Sequence, residues 1–89
     1  MPEAIKILLV DDHAMFRAGI RALIEAEGRM QVIGEASTGD EAVDRARELK
    51  PDVVIMDLSM PGSNGLEATR RISALDLRTS VLVLTVHAE

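Results

Sequence analysis

The sequence predicts an α/β fold built on a parallel sheet, and three observations carry that reading. Short runs rich in Ile, Val and Leu recur at residues 5–10, 53–56 and 81–86, with a briefer one at 32–33. Runs of this length and composition read as strands, and their lack of alternation says that both faces are buried, as in parallel sheets. Between them lie stretches with apolar residues at helical spacing, so the order is β-α-β-α-β-α-β with right-handed crossovers. Two of the runs also close on carboxylates, the first on Asp11 and Asp12 and the third on Asp57. In parallel α/β sheets, ligands bind at the carboxyl ends of the strands. If those two strands are neighbours, three acids meet in one pocket. Their mutual repulsion calls for a cation, and hard oxygen ligands suit Mg²⁺ or a similar ion.

The elements follow in order. Residues 14–26 place Phe16, Ile20, Leu23 and Ile24 on one helical face, with Arg17, Arg21 and Glu25 on the other. Gly28 is a fitting C-terminal stop. Residues 30–36 give a short strand through Val32 and Ile33, broken by Ser37, Thr38 and Gly39. Thr38 with Glu41 three residues on fits a capping box. The second helix turns Ala42, Val43, Ala46 and Leu49 inward and ends before Pro51, which disfavours helix at Lys50. After the third strand, residues 59–65 are dense in turn formers. Asn64 and Glu67 look like the cap of a third helix with Ala68, Ile72 and Leu75 on one face. Residues 81–86, Val-Leu-Val-Leu-Thr-Val, are the fourth strand, predicted buried on both faces. Met15, Met56 and Met60 are assigned to core or loop packing.

Composition excludes several functions. Eighty-nine residues make one domain at most. Ten basic against fifteen acidic residues leave a net charge of −5, which argues against nucleic-acid or anionic-membrane binding by this segment. No cysteine is present, so disulfides and thiolate metal sites are out. No apolar run approaches the roughly 20 residues of a membrane span, and the N-terminus lacks the pattern of a signal peptide, so a cytoplasmic location is the default expectation.

Leu9-Val10-Asp11-Asp12-His13, Met56-Asp57-Leu58-Ser59-Met60-Pro61-Gly62 with Asn64-Gly65, and Leu84-Thr85-Val86-His87 resemble the receiver domain of bacterial two-component response regulators. The wording is most similar to the NarL/FixJ branch, whose members carry a helix-turn-helix output domain behind the receiver. The resemblance spans residues 1–89, in order and at the right spacing. It implies a flavodoxin-like sheet of order 2-1-3-4. It also implies that Asp57 is the nucleophile, taking a phosphoryl group from the phosphohistidine of a sensor histidine kinase. Asp12 would hold Mg²⁺ directly, with Asp11 contributing through water or as a second carboxylate, and with Asp57 and the Ser59 backbone carbonyl as further metal oxygens. Thr85 would hold a phosphoryl oxygen and report phosphorylation. His87, two residues on, falls where the family tunes dephosphorylation, whereas His13 reads as a surface histidine beside an acidic pocket.

The chain departs from the family's pattern in one respect. The fifth strand, whose terminal lysine pairs with the phosphoryl group, has no counterpart, and neither do the last two helices or the DNA-binding output domain. Lys6 and Lys50 are the only lysines, and neither suits that role. Mg²⁺ binding with impaired stable phosphorylation is therefore expected. So is self-association through the fourth strand's edge or exchanged terminal elements, as a homodimer. A competing reading is a shortened receiver that does not switch and acts as a dimerisation or interaction module. A Mg²⁺-dependent phosphohydrolase is disfavoured, because such enzymes want an acid two residues after the nucleophile and Ser59 stands there.

Overall fold

In the computed structural model, residues 4–59, 65–75 and 78–84 are described. Seven elements alternate: β1 (Ile5–Val10), α1 (Ala14–Glu27), β2 (Met30–Ala36), α2 (Gly39–Leu49), β3 (Val53–Asp57), α3 (Gly65–Ser73) and β4 (Ser80–Leu84). The four strands form one parallel sheet in the order β2-β1-β3-β4, the order that the resemblance implies. The chain crosses from β2 over β1 to reach β3. The sheet's order therefore reverses between β1 and β3, which is where an open α/β sheet leaves a crevice.

Two apolar layers hold the helices on the sheet. Ile7, Leu9 and Val32 pack with Ile20 and Ile24 of α1 on one face. On the other, Leu8, Val10, Val54 and Met56 pack with Ala42, Val43 and Ala46 of α2 and Ala68 and Ile72 of α3. Each fully buried Leu, Ile or Val contributes about 1.5–3 kcal/mol relative to exposure. The ends of α2 follow the local chemistry. Thr38 Oγ1 accepts from the Glu41 N–H at 3.1 Å, while Glu41 reaches back to the Ser37 N–H at 2.7 Å, one residue earlier than an ideal capping box requires. Lys50 ends the helix in the left-handed region, with φ at 49°, directly before Pro51.

β1 and β2 pair with a register shift. Ile7 faces Val32, but Leu8 faces Gly34, so Ile33 is an extra residue in β2. A Cβ on Gly34 would stand 2.5 Å from Leu49 Cδ1 of α2, so a larger residue there would make that leucine side chain shift. Beyond the shift, Glu35 pairs with Leu9 and Ala36 with Val10.

Three expectations need correction. Leu23 does not face the sheet and is 71% exposed. The buried stripe of α1 runs through Ile20 and Ile24, and Leu23 lies just outside it. Met15 is 89% exposed rather than packed, while Met56 is buried and Met60 lies outside the described residues. β4 is not buried on both faces, since Leu82 and Val83 are exposed at the outer strand. Nothing among the described elements covers that side, so an uninterrupted apolar run here marks composition and not burial.

Candidate functional site

The carboxyl ends of β1 and β3 bring the acids together. Asp11, Asp12, His13 and Asp57 each offer a ligand atom, and these atoms lie within 4.8 Å of one another. Asp11 follows β1 directly, and its N–H donates to the Ala36 carbonyl at 3.0 Å, extending the pairing with β2 by one residue. Its side chain is buried, and Oδ1 accepts from the His13 N–H at 2.6 Å. That bond turns the chain into α1. Asp57 ends β3 and is buried as well; its Oδ1 accepts from the Ser59 N–H at 2.8 Å and from Ser59 Oγ at 2.6 Å.

Two neighbours fix the Asp57 end. Asp57 pairs with Leu84, and the Leu58 N–H donates to the Leu84 carbonyl at 3.0 Å. A Cβ on Gly65 would meet the Asp57 carbonyl oxygen at 3.0 Å and Leu58 Cδ2 at 3.1 Å. A side chain there would push the start of α3 and the strand end apart by a few tenths of an ångström.

The electrostatics are strained by design of the cluster. Burial pushes the Asp11 carboxyl above the usual carboxylate range, and the charge of Asp57 adds to that, against the lowering effect of the His13 N–H and side chain. His13 is 67% exposed, and its Nδ1 lies 2.8 Å from Asp12 Oδ1 and 3.4 Å from Asp11 Oδ1. It does not satisfy Asp12 as an aligned hydrogen bond, because Asp12 Oδ1 is buried and without a hydrogen-bond partner. An orphaned carboxylate oxygen among three acids suits a hard divalent cation, which takes oxygen ligands and offsets the repulsion. The donor set fits such an ion.

The sequence model of the response regulator receiver domain matches residues 7–89. The chain belongs to this family. Response regulator UvrY of Escherichia coli K12 is 51% identical over 85 residues, covering 96% of this chain and 39% of that protein. Transcriptional regulatory protein LiaR of Bacillus subtilis is 49% identical over 81 residues, covering 91% of this chain and 38% of that protein. The receiver thus spans about two fifths of the length of these relatives. Among solved structures, the receiver domain of NarL from Mycobacterium tuberculosis superposes with a TM-score of 0.89 at 33% identity, covering 99% of this chain and 71% of that one. A LuxR-family regulator from Aurantimonas gives 0.88 at 43% identity, covering 97% and 61%.

Of the residues singled out in the sequence, Asp11, Asp12 and Asp57 converge in the receiver, and Ser59 lies against Asp57. Thr85 and His87 lie outside the described residues, as do Pro61, Gly62 and Asn64 of the turn-rich loop. His13 is exposed beside the acids, with Nδ1 2.8 Å from Asp12 Oδ1, in keeping with a surface histidine at an acidic pocket. Arg17 and Glu35 were not singled out. Arg17 is 19% exposed, not on the outer side of α1, and bonds to both Glu35 and the Asp11 carbonyl. Its spacing with Ile20 and Ile24, i, i+3 and i+7, was the signal that it shares the inward stripe.

Proposed function

We propose that this receiver takes a phosphoryl group on Asp57 from a sensor histidine kinase, with Mg²⁺ held by Asp11, Asp12, Asp57 and the Ser59 carbonyl. The convergence of three carboxylates at one strand-end crevice, one of them with an orphaned oxygen, carries this reading. An Asp57 oxygen attacks phosphorus in line, the P–O bond forms, and the P–N bond to the kinase histidine breaks. Bound Mg²⁺ would neutralise the carboxylates and the phosphoryl oxygens. The chain itself supplies placement: β3 and the Ser59 bonds orient the Asp57 carboxylate, and β1 presents the other two acids across the crevice.

Thr85, which follows Leu84 in sequence, would contact the phosphoryl group through its hydroxyl, and His87 would tune hydrolysis. Transfer to a transcriptional output through a DNA-binding domain outside residues 1–89 is the reading that the names of LiaR and of a DNA-binding LuxR-family regulator from Staphylococcus aureus support. The exposed Leu82 and Val83 on the outer strand support pairing of this polypeptide with a second copy, as a homodimer. Sedimentation at tens of micromolar is expected to show a dimer, and a monodisperse monomer overturns that part.

The main test is labelling with acetyl phosphate and Mg²⁺, followed by mass spectrometry. The expected result is one phosphoryl group on Asp57, lost in Asp57→Asn and after chelation of the metal. Labelling that persists in Asp57→Asn, or that ignores chelation, overturns the reading.

A further inference from the structure

Arg17 has no part in the chemistry above, yet it is tied to the site more firmly than a surface arginine. Its Nη1 donates to the backbone carbonyl of Asp11, and its Nε donates to Glu35 Oε1 at 2.9 Å. The other oxygen of Glu35 accepts from Arg21 Nη1 at 2.7 Å. The Asp11 carbonyl belongs to the peptide that joins Asp11 to Asp12. A donor on that oxygen fixes the peptide plane from which the Asp12 side chain departs. Two other bonds hold the same turn, from the Asp11 N–H to Ala36 and from the His13 N–H to Asp11 Oδ1. Arg17 supplies the third, from the first turn of α1.

We propose that Arg17 is a positioning residue for divalent-cation binding, clamped by Glu35 so that its guanidinium holds the Asp11 carbonyl and not a carboxylate. The proposal rests on the reading that these acids hold a divalent cation. Glu35 has a double effect: it fixes the guanidinium plane with a charge-assisted bond, and it balances a cation that would otherwise pair with Asp11 or Asp12 in place of the metal.

Charge and positioning act with opposite sign here. A guanidinium beside the acids repels a second cation, so on charge alone its removal tightens metal binding. On positioning, its removal loosens binding, as loss of the groups that orient metal ligands does, by about 10–100-fold. Calorimetric titration of the whole chain with MgCl₂, and with MnCl₂ as a second probe, separates the two. Arg17→Gln is expected to weaken binding about tenfold. Arg21→Gln removes the same charge from Glu35 without touching the Asp11 carbonyl, and its affinity is expected to stay within about twofold of the parent, as for an exposed ion pair. Arg17→Lys, which keeps one donor and the charge, is expected to recover part of the loss. Glu35→Gln is expected to weaken binding, and the double variant Arg17→Gln/Glu35→Gln to bind no more weakly than Arg17→Gln alone, since the two act through one chain of bonds. If Arg17→Gln does not fold, Arg17→Lys and Glu35→Gln still decide the question. Parent-like or tighter binding by Arg17→Gln, or by Glu35→Gln, overturns the proposal and leaves the metal reading intact. An equal loss in Arg21→Gln also overturns it. A parent chain that binds neither ion overturns the metal reading, and this proposal with it.

Discussion

Asp11→Asn is expected to raise the melting temperature of the metal-free receiver while lowering its Mg²⁺ affinity at least tenfold. The amide keeps an Oδ1 to accept from the His13 N–H, so the turn into α1 survives. What disappears is a buried negative charge beside Asp12 and Asp57. Relief of that repulsion stabilises by roughly 1–2 kcal/mol, which corresponds to about 4–8 °C per kcal/mol for a domain of this size. The pH dependence has a definite sign. A carboxyl whose folded pKa lies above its ordinary 3.8 binds protons more readily when folded, so its ionisation costs stability as pH rises through the window between the two values. The gain from Asp11→Asn is thus full at neutral pH and vanishes once Asp11 is protonated in both states. Thermal unfolding with chelator at pH 7 and near pH 4, beside calorimetric Mg²⁺ titration, checks both halves. A lowered melting temperature at pH 7, or an undiminished affinity, goes against the argument.

Leu8→Ala is expected to be among the most damaging single changes in the sheet. Leu8 sits on central strand β1, fully buried against the α2 layer. Truncation removes transfer energy and leaves a cavity, at a cost of about 2–5 kcal/mol. Small domains have only about 5–15 kcal/mol in total, so much of the receiver's stability goes with this one side chain. The measurement is urea unfolding, with a lowered midpoint at unchanged slope. Leu23→Ala is the control, because Leu23 is exposed. Its effect is expected within about 0.5 kcal/mol. Similar losses in the two variants would mean that the assignment of the α1 faces is wrong.

That pair of leucines also shows what the sequence could and could not reveal. The strands of the central sheet and the acids at their ends were legible because each is a local pattern: an apolar run, then a carboxylate. The same holds for Ala42, Val43 and Ala46 on α2, whose spacing leaves one inward face. The faces of α1 were harder. Its buried stripe passes through Arg17, Ile20 and Ile24, and an arginine is not expected inward until its partners, Glu35 and the Asp11 carbonyl, are known. Glu35 comes from β2, 18 residues along the chain, so no local pattern contains the pair. The exposure of Leu82 and Val83 was illegible for the related reason that burial depends on what packs over a strand, not on the strand's own residues.

The extra residue in β2 gives the acidic site a dependence on counting. Side chains of a strand alternate between faces, so one odd residue reverses the parity of everything after it. With Ile33 unpaired, Glu35 falls in step with Leu9 and turns towards α1, where Arg17 and Arg21 meet it. With Ile33 paired to Leu8 in an unbroken ladder, Glu35 would fall in step with Val10 and point its charge into the apolar layer under α2. Deleting residue 33 would therefore leave Glu35 in step with Leu9, whereas loss of the bulge with every residue kept would turn Glu35 away from Arg17 without altering any acid.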